Sequence, residues 1–162
     1  MNFDVREGYV PKIDLGEAKN AMSIIKDVFQ RELTRQLQLT RVSAPLFVTP
    51  ESGLNDNRNG VERPVAFDLK EGNRSAEIVH SLAKWKRYAL KQYGFLPGEG
   101  LYTDMNAIRR DEDTDNIHSI YVAQWDWEKV IRKEERTRKT PEDAGREVYK
   151  TLKITEDYMA YE

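Results

Sequence analysis

Apolar positions recur at the spacing of an amphipathic helix between residues 14 and 37. They are Ala18, Met22, Ile25, Phe29, Leu33 and Leu37. Asp14 is followed three residues later by Glu17, which is the sequence signature of a capping box. The pattern therefore predicts one long helix from residue 14 to residue 37, with an apolar face.

Strand-like patterns follow this helix. Residues 40–42 and 46–48 are rich in β-branched and apolar side chains and are separated by Ala44 and Pro45. Because proline cannot donate a hydrogen bond to a neighbouring strand, the second run is predicted to be an edge or entry strand. Residues 50–64 have the composition of a loop, since asparagine, glycine and charged residues dominate them.

The middle of the chain alternates between strand and helix signals. Val65, Phe67 and Leu69 alternate as in a strand, and Ala76, Ile78 and His80 begin another strand after a glycine turn. Ser81 is predicted to cap a helix that reaches Tyr93 and ends at Gly94. Further strands are predicted at residues 101–107 and 117–125.

The carboxyl-terminal segment carries the signals of a last helix. Thr140, Pro141 and Asp143 supply a cap, a first-turn proline and a first-turn acid. The apolar positions expected on its inner face are Ala144, Val148, Leu152 and Met159.

Composition narrows the class of protein. The 162 residues fit one domain, with 39% apolar content, and 26 basic against 28 acidic residues give a net charge of only -2. This balance favours neither nucleic acid nor an anionic membrane as a partner. Cysteine is absent, so thiolate chemistry is excluded and a metal ion would need oxygen ligands. No apolar run approaches the roughly 18 residues of a membrane helix, and the cytoplasm is the expected compartment.

Residues 117–128 place polar side chains on one face of a strand. One face would carry Ile120, Val122, Gln124, Asp126 and Glu128, and the other Tyr121, Ala123, Trp125 and Trp127. A strand end that faces solvent gives this pattern, and so does a polar ligand site. The amide and carboxylate flanked by indoles favour the second interpretation, because buried polar groups need partners.

Three other groups of charged residues are candidates for chemistry. Lys84, Lys86 and Arg87 follow His80 at a predicted strand-to-helix junction, where cations oppose the helix dipole and an anionic ligand would be one reason for them. Solvated lysines and a structural histidine are the alternative. Arg109 and Arg110 precede three acids, as in a mixed-charge hairpin. Asp56 lies between Asn55 and Asn57, as in an Asx turn.

Four blocks of the sequence together resemble one family. They are GLNDNRNGVERPV at residues 53–65, VHSLAKWKR at 79–87, GEGLYTDMNAIRRDED at 98–113 and IHSIYVAQWDWE at 117–128. In this order they resemble the ammonia-dependent asparagine synthetases of bacteria, the aspartate-ammonia ligases. The resemblance implies synthesis of asparagine from aspartate, ammonia and ATP through β-aspartyl-AMP, with release of AMP and pyrophosphate.

The resemblance also implies a fold and partners. The fold expected is α+β, with the antiparallel sheet and flanking helices of class II aminoacyl-tRNA synthetases. Because family members are much longer, residues 1–162 are expected to be the amino-terminal part of a single catalytic domain of this kind, which is then incomplete. The long first helix and the proline-bearing strand would form the dimer interface of a cytoplasmic homodimer. Nucleic acid and membrane are not expected as partners.

Individual roles are carried over from the family. Arg109 would contact the α-phosphate of ATP, and Lys86 would lie near the carboxylate that is activated. A guanidinium suits the first role, since it offers parallel donors to a phosphate that gathers negative charge. Asp56 would attract and deprotonate ammonium. Gln124, Asp126 and His80 would bind the amino acid, whereas Glu62 and Arg63 would be scaffold.

The sequence departs from the family pattern in two respects. Ala123 stands where the family usually has an aspartate, which could lower activity. The glycine-rich third signature has no counterpart in these residues, and the magnesium ligands are expected outside them, so the isolated chain is expected to be inactive. The alternative functions are a noncatalytic remnant that binds an amino acid or nucleotide, or that pairs with a full-length synthetase. A tRNA-aminoacylating relative ranks last, since no basic surface bias is visible.

Overall fold

A computed structural model describes residues 7–56 and 60–161, which form three helices and two small sheets. In chain order the elements are α1 (Leu15–Leu37), β1 (Leu39–Arg41), β2 (Phe47–Val48), β3 (Ala66–Leu69), β4 (Arg74–Ile78), α2 (Ala83–Gln92), β5 (Gly100–Ile108), β6 (Tyr121–Lys129) and α3 (Lys139–Tyr161). The predicted α+β class is confirmed, and the likeness to class II synthetases stays a prediction.

The chain divides into two compact units. Within the described residues, the first comprises residues 41–56, 60–95 and 101–128, and the second comprises residues 7–40, 96–100 and 129–161. The first unit holds α2 and most of the strands. The second holds α1 and α3, which pack against each other.

Helix α1 begins as its sequence predicts. The Glu17 N–H donates to Oδ1 of Asp14 at 2.8 Å, and the Asp14 N–H donates to Oε2 of Glu17 at 2.9 Å, which confirms the capping box. Leu33 and Leu37 are buried. Met22, however, is 60% exposed, so the predicted apolar face is covered only toward the carboxyl end of the helix.

Helix α3 differs from its prediction at its start and in its buried face. It begins at Lys139, so Thr140 is its second residue rather than its cap, and the Thr140 hydroxyl donates to the carbonyl of Glu135. The buried positions are Thr151 and Thr155, while Leu152 is 52% exposed. Each buried threonine hydroxyl donates at 2.9 Å to the carbonyl four residues earlier. Because that bond satisfies the hydroxyl within the helix, a polar residue can occupy the buried face.

The sheet of β2, β4 and β3 is antiparallel, with β4 at its centre. Strand β2 follows Pro45 and lies at an edge, as predicted. The hairpin between β3 and β4 turns through Gly72 and Asn73, both with positive φ, which confirms the predicted glycine turn. Phe47 in β2 and Phe67 in β3 flank β4, and their rings pack edge to face with centroids 5.3 Å apart.

The other sheet has the strand order β1-β5-β6. Strand β6 begins at Tyr121, later than the predicted start at residue 117. The reason is a turn before it, in which the carboxylate of Asp115 accepts the N–H groups of Ile117 at 2.9 Å and of His118 at 2.7 Å. Residues 117–120 therefore do not continue the strand.

Helix α2 carries the basic block of the sequence. Its cap position is Leu82, one residue later than predicted, and Oγ of Ser81 accepts the Ala83 N–H at 3.3 Å. The helix ends before Gly94, whose φ of 70° allows the chain to turn away, as predicted. Its buried residues include Trp85 and Ala89 and also a charged side chain, Lys86.

Candidate functional site

Lys86 is a buried cation in the first turn of α2. The residue is only 6% exposed. Its Nζ donates to the carboxylate of Asp126 and, at 2.9 Å, to the carbonyl of Trp127, and it lies 3.4 Å from Oε2 of Glu128. The ammonium thus donates two hydrogen bonds and has a second carboxylate close to it. A buried ammonium is stable only with such compensation, which explains why two acids lie opposite it.

Strand β6 supplies both of these acids. Asp126 and Glu128 are two residues apart and point to the same side, as the predicted alternation requires. Gln124 belongs to the same alternating set and is exposed, as is Ala123 next to it. The side chains of Asp126 and Glu128 are 17% and 27% exposed, so solvent reaches part of the charged cluster.

The loop before Asp56 is tied to the junction between β4 and α2. Nδ2 of Asn55 donates to Oε2 of Glu77 at 3.1 Å and to the carbonyl of Ile78 at 3.4 Å. Oδ1 of Asn55 accepts the His80 N–H at 3.0 Å, and Nζ of Lys84 donates to the Asn55 carbonyl at 3.3 Å. Asp56 itself is half-buried, and Asn57 lies outside the described residues.

His80 is the most deeply buried of the predicted site residues, at 1% exposure. Neither of its ring nitrogens has a hydrogen-bond partner within the described part of the chain. An unsatisfied buried polar group costs about 1–3 kcal/mol. A polar ligand that reaches the imidazole would remove this cost.

A cavity of about 210 Å³ lies in the same region of the first unit. Its lining includes the side chains of Asn55, Glu62, Glu77 and Lys84. All four of these side chains are polar, as in a site for a small polar molecule.

Arg109 follows β5 directly and keeps unused donor capacity. Its N–H donates to the carbonyl of Ile120 at 2.8 Å, which fixes the position of its backbone. Its side chain is 22% exposed, and Nη1 lies 3.8 Å from Oε2 of Glu112. Its Nε is buried and has no acceptor within the described residues. A guanidinium in this state is ready to accept an anionic partner.

The neighbouring charges of the same hairpin are structural. The carboxylate of Asp111 accepts the Arg63 N–H at 2.9 Å, its Nε at 3.0 Å and its Nη2 at 2.5 Å. Arg110 donates to the carbonyl of Pro64 at 3.4 Å. The hydrogen bonds from Arg63 hold the pKa of Asp111 well below its usual range. Arg63 thus connects its loop to the hairpin that carries Arg109, and its assignment as scaffold stays a prediction.

The structure thus joins some of the predicted site residues directly. Lys86 contacts Asp126, and the backbone of His80 is bound to the loop that carries Asp56. Arg109 directly follows β5, and Gln124 lies within β6. Asn55 was not predicted, because its local sequence indicates only a turn and its partners lie 22 to 25 residues further along the chain.

Magnesium was predicted to accompany ATP. The described residues bring no three His, Asp or Glu side chains together in an arrangement that could hold a metal ion. The ligands of the ion were expected outside residues 1–162, which stays a prediction, and no step of the reaction is assigned to the ion. Among residues 7–56 and 60–161 no helix is both long enough and apolar enough to cross a membrane.

The first unit thus contains a buried ion cluster and, within the described residues, ring nitrogens of His80 and Nε of Arg109 that have no hydrogen-bond partner. Buried charged and polar groups of this kind are candidates for a functional site. The family model described as aspartate-ammonia ligase matches residues 16–162, and the chain belongs to this family. The family predicted from the four sequence blocks is thereby confirmed.

Curated relatives agree with this assignment. The aspartate-ammonia ligase of Ruminiclostridium cellulolyticum is 61% identical over 155 residues, which are 95% of this chain and 46% of that protein. The enzyme of the same name from Clostridium perfringens is 59% identical over 96% of this chain and 46% of its own length. That of Limosilactobacillus fermentum is 56% identical over 99% and 48%. The chain therefore spans about half the length of the curated relatives that it matches.

Proposed function

We propose that the chain provides the aspartate-binding and carboxylate-activating part of an ATP-dependent asparagine synthetase. In this reaction an oxygen of the aspartate side-chain carboxylate attacks the α-phosphorus of ATP, and the bond to pyrophosphate breaks. Ammonia then attacks the acyl carbon of β-aspartyl-AMP, the bond from that carbon to the phosphate oxygen breaks, and AMP leaves. The observation that carries the proposal is the buried Lys86 ammonium between Asp126 and Glu128.

Lys86 is suited to binding the carboxylate that is activated. A buried ammonium attracts a carboxylate strongly because little water screens the interaction. Glu128 also has Nε of Arg87 at 3.8 Å from its Oε1, but the Arg87 side chain is 73% exposed and such exposed ion pairs are weak. Glu128 can therefore pair with the α-ammonium of an amino acid. Gln124, on the same face of β6, can add amide hydrogen bonds to that ligand.

Arg109 is assigned to the α-phosphate. Negative charge gathers on the phosphate oxygens while the carboxylate attacks, and parallel guanidinium donors stabilise it. The buried Nε, which finds no acceptor in residues 7–56 and 60–161, supports this role, because binding of a phosphate would satisfy it.

Asp56 is assigned to ammonia. A carboxylate attracts ammonium and can take a proton from it, which leaves the neutral amine that attacks the acyl carbon. His80 is assigned to substrate binding, and this is supported by its two ring nitrogens, which have no hydrogen-bond partner among the residues that the structure describes. The proposal includes a cytoplasmic homodimer, as the family resemblance implies.

Titration of the purified chain with AMP tests the nucleotide part of the proposal. We expect Arg109→Gln to weaken AMP binding by about tenfold or more, since a charge-assisted bidentate contact is lost. The adjacent Arg110→Gln is the matched control, because Arg110 contacts only the Pro64 carbonyl in its described hydrogen bonds. Equal affinities of the two variants for AMP would contradict the role of Arg109.

A further inference from the structure

Asn55 uses both ends of its side chain to connect two segments that are distant in sequence. Its amide nitrogen donates to Glu77 in β4 and to the carbonyl of Ile78, and its amide oxygen accepts the backbone N–H of His80. The main-chain carbonyl of Asn55 accepts a further hydrogen bond from Lys84 in the first turn of α2. We call this set of contacts the Asn55 clasp.

The clasp has a directional character that only an amide provides. Its nitrogen faces two acceptors, the Glu77 carboxylate and the Ile78 carbonyl, while its oxygen faces a donor. An aspartate at this position has the same shape but no donor. Its carboxylate would then face the carboxylate of Glu77, and the two like charges would repel each other.

The clasp lies between the residues to which the proposed function assigns chemistry. Asp56 is the next residue in the chain, and His80 is held directly by Oδ1 of Asn55. Lys84 and Lys86 lie in the same first turn of α2. A change in the clasp would therefore shift Asp56 relative to His80 and to the head of α2.

We propose that Asn55 is a positioning residue, which holds His80, assigned to the amino acid, and the neighbouring Asp56, assigned to ammonia, in their places. This inference rests on the proposed function, because aspartate is the ligand whose affinity the clasp would set. Asn55 does not need to touch the ligand. Its effect passes through the loop that carries Asp56 and through the backbone of His80.

Three variants test the clasp through its polarity. In Asn55→Asp the donor to Glu77 is lost, and we expect hydrogen-exchange protection of the His80 amide and affinity for L-aspartate each to fall about tenfold or more. In the double variant Asn55→Asp with Glu77→Gln, the glutamine amide donates to the new carboxylate, and both quantities should return to within about threefold of wild type. Glu77→Gln alone should remain near wild type, since its amide oxygen can still accept from Asn55.

Asn106→Asp is the matched control for a new carboxylate in the same unit. Asn106 also accepts a side-chain hydrogen bond, from the Tyr121 hydroxyl at 2.5 Å, but it lies on the exposed part of β5. We expect this variant to bind aspartate as the wild type does. A rescue of affinity by Glu77→Gln in the Asn55→Asp background would separate positioning from general loss of stability.

The possible results are distinct. If Asn55→Asp lowers protection but leaves aspartate affinity unchanged, Asn55 is structural only and the inference is overturned. Unchanged protection would overturn the clasp itself. If the wild type fails to bind aspartate, the proposed function fails and the positioning role falls with it, while the protection pattern still decides whether the clasp exists.

Discussion

At the scale of single residues, the site is governed by how buried charges are compensated. Lys86 was recognisable in the sequence because a cation in a first helical turn is unfavourable. Asp126 was recognisable because it lies in the polar part of an alternating strand face. The structure shows that these two residues contact each other. Asn55 could not be predicted, since its partners depend on how β4 and α2 fold against its loop.

The ion pair of Asp111 and Arg63 predicts a specific dependence of stability on pH. The pKa of Asp111 is lower in the folded chain than its unfolded value of about 3.9, because Arg63 hydrogen-bonds the carboxylate. The stabilisation is therefore complete above about pH 4 and is lost as the pH falls through the folded-state value. We expect Asp111→Asn to flatten the loss of unfolding free energy below about pH 4 in denaturant titrations.

Arg63→Gln provides the complementary measurement, because it removes the cause of the lowered pKa and leaves the carboxylate in place. It should flatten the acid dependence in the same way as Asp111→Asn. Acid profiles of the two variants that run parallel to the wild-type profile would show that this ion pair does not determine the pH dependence.

At the scale of elements, the sequence predicted the boundaries of helices correctly where local hydrogen bonds and turns determine them. The capping box of α1 and the glycine after α2 acted as predicted. The predicted start of β6 was wrong because a turn formed by Asp115 precedes the strand. The predicted buried face of α3 was wrong because a threonine hydroxyl can be satisfied within the helix and then buried. Periodicity alone does not reveal such compensated polar positions.

The corrected packing of α1 and α3 predicts unequal effects of two similar truncations. Leu33→Ala removes a buried side chain from α1 and should lower the free energy of unfolding by about 2–5 kcal/mol. Leu152→Ala removes a half-exposed one from α3 and should cost less than about 1 kcal/mol. Chemical denaturation of the two variants measures both values, and a larger loss for Leu152→Ala would contradict the observed face of α3.

At the scale of the whole molecule, family membership was the most predictable property. Four ordered blocks identified it from the sequence, and the family match over residues 16–162 confirms it. The resemblance to the family implied the α+β class, and the helices and sheets of the structure confirm that class. The roles of the site residues depend on their contacts with substrates, so these roles stay proposals that binding measurements can decide.

The proposed homodimer predicts that the exposed apolar stripe of α1 is an interface. Leu15, Met22 and Ile25 are all exposed along this helix. Met22→Glu should convert the dimer to a monomer in light scattering, since burying an unpaired carboxylate is costly. Asn20→Glu, which introduces the same charge at an exposed position on the other side of α1, should leave the dimer intact. A wild-type chain that is monomeric at all concentrations would contradict the proposed dimer.

Lys86 is proposed to bind the carboxylate of aspartate, and calorimetric titration with L-aspartate measures the affinity that depends on this contact. Lys86→Gln should weaken binding by about tenfold or more, because a charge-assisted contact in a buried site is lost. Lys91→Gln is the matched control, since Lys91 is an exposed lysine in the last turn of the same helix. We expect wild-type affinity for the Lys91 variant and a clear loss of affinity for the Lys86 variant. Equal affinities of the two variants for aspartate would contradict the proposed role of Lys86.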